Sequence, residues 1–169
     1  MLRPPFLLTT TFMKKSLFFS FLLALFFFRD MAAASEATPS LELHWSGKPT
    51  PLSEPASHQL LDQAMKLVQS SNFHSDPGDK YHFFQLPQVQ SSYRQEVAGR
   101  YLLVTLPESQ SIQTIGGRIE VREIVIGLNR DDYASNLFTI DSTGRIVGHA
   151  KYAGEVCRQI FSTIEQALR

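Results

Sequence analysis

The chain has 169 residues, with 16 basic and 16 acidic side chains, 43% hydrophobic residues and a single Cys. Charge this balanced, with no basic run and no interleaving of aromatic and basic residues, excludes a nucleic-acid-binding surface and makes an anionic membrane an equally poor partner. With Cys157 alone, the chain can form neither an internal disulfide nor a Cys-x-x-Cys redox pair, so its stability must come from a packed core.

Lys14-Lys15 precede Leu17 to Phe28, twelve residues that are all apolar except Ser20, and Arg29-Asp30 and Ala32-Ala33-Ala34 follow. A positive region, a short apolar region and a small-residue site, in that order, form a secretory signal peptide. Twelve helical residues would cover roughly 18 Å, short of the ~30 Å of bilayer hydrocarbon, and two charges close the segment. The expectation is a signal peptide over 1–34, cleaved after Ala34, that meets the membrane only before cleavage. The protein would then be exported, periplasmic or secreted. The competing reading keeps Leu17–Phe28 as an uncleaved anchor. Met13 is a natural start, because Met13 to Ala34 has an ordinary signal length. Losing Arg3, Lys14, Lys15, Arg29 and Asp30 with the leader reduces 16 basic and 16 acidic side chains to 12 and 15, a net charge near −3.

Residues 35–54 hold Pro39, Pro49 and Pro51, with Pro55 just beyond, and read as a Pro-rich extended lead-in to a single α+β domain over 55–169. Leu41, Leu43 and Trp45 alternate, which permits a short edge strand, and Trp45 is expected to dock the arm onto the domain. Leu60, Leu61, Ala64, Met65, Leu67 and Val68 recur at three- and four-residue steps and predict a helix over about 55–71. Ser53 or Ser57 would supply the N-cap oxygen.

Asp76-Pro-Gly-Asp79 predicts a turn-rich loop. Tyr81 to Leu86 reads as a strand, and Gln88 to Ser92 as a polar loop. Val97 to Leu106, apolar on both faces, reads as a central strand ended by Pro107. Ile112 to Leu128 reads as one long strand bent at Gly116-Gly117. The side-chain parity of Ile119 and Val121 differs from that of Ile124, Ile126 and Leu128, which demands a bulge or local twist near Arg122-Glu123. Asp141-Ser-Thr-Gly144 predicts a hairpin turn between Leu137–Asp141 and Arg145–Tyr152. Val156, Cys157, Ile160, Phe161, Ile164 and Leu168 predict a closing helix over about 154–168. The expected fold is α+β: an antiparallel sheet of four or five strands with the N-terminal and C-terminal helices packed on one face. Gly148 and Ala150 on the inner face of the last strand would let a helix approach closely.

Zinc, calcium, phosphate-loop and nucleophile-elbow motifs are absent, and nothing in the sequence calls for a cofactor. Cys157 lies on the apolar helix stripe and reads as a small core residue. His74, Asp76, Asp79 and His82 carry metal-type donors at a spacing that matches no geometric site. The candidate ligand or partner face comes from parity. Arg145, His149 and Lys151 share one face of their strand, and Arg118, Glu120 and Arg122 point outward on theirs. On neighbouring strands they would form an open face with a basic bias, either solvated with cross-strand pairs or suited to an anionic ligand.

The stretch from Asn136 to Val147, followed by a helix, resembles the closing hairpin and helix of thioredoxin-like exported proteins. The chain lacks that family's Cys pair and the proline expected just before Leu137, so the resemblance implies none of its activity. The expected function is a small exported, non-enzymatic binding or interaction module for a protein or a small anionic ligand. An inhibitor or immunity-type protein is one version. The alternatives are an enzyme using a His general base on the open sheet face, such as His149, and a membrane-anchored structural protein.

Overall fold

The computed structural model describes residues 38–76, 83–129 and 133–169, and residues 38–169 group into one compact unit. The signal segment, its cleavage site and two of the metal-type donors, Asp79 and His82, lie outside the described residues. The strands are β1 (Ser40–Trp45), β2 (Lys48–Thr50), β3 (Tyr101–Thr114), β4 (Gly117–Gly127), β5 (Ala134–Ile140) and β6 (Ile146–Ala153). The helices are α1 (Glu54–Ser70), α2 (Pro87–Ala98) and α3 (Glu155–Ala167), with a 3-10 turn at Phe83–Gln85. The fold is α+β, built on a six-stranded antiparallel sheet in the order β2-β1-β3-β4-β5-β6.

The stretch expected as a lead-in therefore supplies two strands. β1 lies inside the sheet, between β2 and β3, rather than at its edge. Pro49 is tolerated because β2 is the edge strand, where a missing N–H leaves no ladder bond unmade. Trp45 packs against the core, and the Arg100 guanidinium lies 4.3 Å above its ring.

Strand parity sorts the side chains onto two faces. On the first face, Leu102, Val104, Ile124, Ile126 and Leu137 meet Leu60, Ala64 and Leu67 of α1 and Cys157, Ile160, Phe161 and Ile164 of α3. The two helices also join through polar groups. Gln59 and Gln63 each donate to Thr163 Oγ1 at 3.1 Å, and that hydroxyl donates to Gln159 O. Cys157 is fully buried against Ser135, which suits a core thiol.

The second face corrects the expectation of helices on one side only. Tyr101, Val125, Phe138 and Ile140 are buried there beneath Val89, Tyr93 and Val97 of α2. Residues 88–92, read as a polar loop, belong to this helix, and the described part of the expected 81–86 strand forms the 3-10 turn. Pro87 opens α2 at a position where its missing N–H costs nothing. None of the residues of α2 is fully buried, in contrast to α1 and α3.

The β3–β4 hairpin departs most from the expected path. β3 does not stop at Pro107 but continues to Thr114, and β4 starts afresh at Gly117, so Ile112–Leu128 is not one strand. The register slips between Thr105 and Gln110, where residues 106–109 face Arg122 alone. Pro107 falls in this unpaired stretch and loses no ladder bond. The parity switch near Arg122-Glu123 takes place here: Val121 and Ile124 both face the first core.

The far end of the hairpin curls back to meet β6. His74 exchanges backbone bonds with His149 at 2.8 and 3.0 Å, while Ile115 N donates to Phe73 O and Ser75 N to Ile115 O. One three-residue segment, Phe73–Ser75, thereby stitches the hairpin tip to the β6 edge. Gly116, with φ +120°, is required: a Cβ there would lie 2.7 Å from Ser75 O. Gly148 has a related purpose, though no helix approaches it. A Cβ there would lie 2.3 Å from Thr139 Oγ1 and 2.8 Å from Ile119 Cδ1, so the curled hairpin packs where a helix was expected.

Candidate functional site

The curled hairpin tip, the β5–β6 turn and the segment entering α2 enclose a cleft of about 730 Å³. Gly116–Ile119 form one wall and Gly144–Val147 another. Phe84, Gln85, Gln90 and Tyr93 form the third, and Ser75 and Asp76 close one end. Local bonds fix each wall. Thr114 Oγ1 donates to Gly117 O and shares a hydrogen bond with the Ser75 hydroxyl, each at 2.6 Å, which holds the hairpin tip. Gln90 Nε2 donates to Phe84 O at 2.6 Å, which ties the 3-10 turn to α2.

Asp141 organises the β5–β6 turn. Its Oδ1 accepts from Thr143 N (2.8 Å), Thr143 Oγ1 (2.6 Å) and Arg145 N (3.0 Å), and its Oδ2 accepts from the Arg145 guanidinium at 3.1 and 3.2 Å. Partial burial pushes this carboxyl up. The hydrogen bonds from Thr143 and Arg145 outweigh it and hold the pKa down at about 2. Gly144, at φ +82°, supplies the left-handed residue that the turn needs.

Of the five candidate face residues, Arg118 and Arg145 line this cleft together, and Arg122, His149 and Lys151 do not. The two arginines differ. Arg145 is committed to Asp141, whereas Arg118, exposed on β4, makes no ion pair or hydrogen bond among the described residues. Arg122 sits half-buried at the register slip, and Lys151 is exposed on β6. His149 is half-buried with its ring 5.0 Å from that of Phe138. Burial, then the neighbouring His74 and Lys151, lowers its pKa and so favours the neutral imidazole. It lies on the sheet face opposite Cys157, so the two form no dyad. Among the described residues no group of three or more His, Cys, Asp or Glu could hold a metal ion. No described helix is long and apolar enough to cross a membrane.

Sequence reasoning missed the α2 wall. Val89, Tyr93 and Val97 recur at four-residue steps behind Pro87, a helical signal obscured by the polar residues between them. Burial, then the charge of Glu123 and the proximity of Tyr101, raises the Tyr93 pKa, so its phenol remains a donor. No family model, curated protein or solved structure matches this chain.

Proposed function

We propose that this protein is a small exported binding module whose ligand, a small anion or an acidic segment of a protein, sits in the cleft between the hairpin tip, the β5–β6 turn and α2. The observation that carries this reading is a cation unpaired among the described residues, Arg118, beside apolar walls in a concavity of ligand size. Asp76 is the one carboxylate among the described residues that line the cleft, and it already has an interaction partner. The division of labour in the fold supports this reading: α1 and α3 stabilise one face of the sheet, and α2, on the other, contributes a wall of the cleft.

Two measurements test the reading. An intact mass of the exported protein beginning at Ser35 supports export with cleavage after Ala34, while a product that retains Leu17–Phe28 supports the anchored alternative. For binding, refolded protein free of co-purified ligand is melted against a panel of small acids and their neutral analogues. A ligand at a hundred times its Kd stabilises the folded state by about 2.7 kcal/mol, a plain rise in Tm. Acids that raise Tm where their neutral analogues do not support the anion site. A panel without effect contradicts it.

A further inference from the structure

We infer that the cleft selects an apolar carboxylic acid, such as an acyl amino acid or the C-terminal residue of a peptide, with Arg118 as the carboxylate anchor. This rests on the cleft being the binding site and adds the class of ligand and the residue that reads it.

The two cations at the cleft are not equivalent. The Arg145 guanidinium already spends two N–H groups on Asp141 Oδ2, and its main-chain N–H is bound to the same carboxylate, so it braces the turn. Arg118 keeps its planar fork free among the described residues, and that fork matches a carboxylate through two parallel bonds. A cation with such reach, set beside Phe84, Tyr93, Ile119, Ile146 and Val147, suits a ligand that joins an anionic head to an apolar body. A bare inorganic anion would leave those apolar walls unused. Next to the walls in sequence stand Ile115 and Leu86, 58% and 43% exposed, two of the four large apolar side chains most exposed among the described residues. Neither lines the cleft, and isolated exposed apolar residues are ordinary, so the apolar walls within it carry the argument.

The test titrates 15N-labelled protein, residues 35–169, with three probes: acetate, N-acetylphenylalanine and N-acetylphenylalanine amide. The expected result is a shift of the Gly116, Gly117 and Gly144 amide signals with N-acetylphenylalanine, and a much weaker response to the amide and to acetate. Arg118→Gln should weaken N-acetylphenylalanine binding roughly tenfold to a hundredfold, the loss of one charge-assisted contact. Arg122→Gln, a cation outside the cleft, should leave it unchanged. An unaltered urea midpoint in Arg118→Gln excludes unfolding as the cause. Equal responses to the acid and its amide, or full binding by Arg118→Gln, overturn the anchor. Acetate binding as well as N-acetylphenylalanine overturns the apolar half while leaving an anion site. No shift with any probe removes both this inference and the cleft reading.

Discussion

The two faces of the sheet are built from the same strands but held in different ways. The first face buries Leu60, Leu67, Ile160 and Ile164 completely between two helices. The second carries one helix with no fully buried residue, touching the sheet through Val89, Tyr93 and Val97 and through one hydrogen bond, Asn136 Nδ2 to Glu96 Oε1 at 2.8 Å. Burial scales with the apolar area taken from water, so the first face must hold most of the folding free energy. The lightly held helix α2 forms one wall of the cleft described above, and such weakly buried elements are the ones a domain can open at least cost.

The largest effect that could break this comparison is a cavity in each layer. Ile160→Ala on α3 should cost about 2–5 kcal/mol in urea unfolding, against about 1 kcal/mol or less for Val97→Ala on α2. Equal losses would show that α2 belongs to the main core. Gly148→Ala comes next, at about 1–3 kcal/mol, because its Cβ collides with Thr139 Oγ1 and Ile119 Cδ1. Adding Thr139→Ala removes a buried hydroxyl that has no hydrogen-bond partner, and the double variant should recover most of the loss.

Smaller effects sharpen the comparison at the cleft. Asp141→Ala should cost about 1–2 kcal/mol by loosening the turn that carries Arg145. The folded carboxyl titrates at about 2, below its ordinary 3.8, so its stabilisation is complete above pH 3.8 and is lost as pH falls toward 2. The variant should lack that acid-side decline. Glu96 behaves in the opposite sense. Burial raises its pKa above 4.5, more than the Asn136 hydrogen bond lowers it. Its contribution is therefore full below pH 4.5 and falls as pH rises through the raised value. A side chain at Gly127 would strike this carboxylate, so the notch admits Glu96 closely. Glu96→Gln should flatten the pH dependence of the Asn136 side-chain amide signals and leave the urea midpoint of the main core nearly unchanged.

What the sequence revealed, and what it hid, follows the range of the forces involved. α1, α3 and the Asp141–Gly144 turn were legible because amphipathic periodicity and turn chemistry are local. The bulge near Arg122 was legible too, since parity cannot switch without one. α2 was obscured because only one side of it touches the sheet, so its apolar signal is thin. The end of the central strand was misplaced at Pro107 because a proline stops a strand only where its N–H is needed, and the partner register decides that. The same non-local curl decided the site. It brought Arg118 to Arg145 and left Arg122, His149 and Lys151 outside, a sorting that no strand pattern carries.

Native-state hydrogen exchange tests the contrast between the faces most directly. The account predicts that amides of α3 and the central strands exchange only through global unfolding, while those of α2 exchange much faster, through an opening that leaves the first core intact. Protection of α2 equal to that of α3 would contradict it.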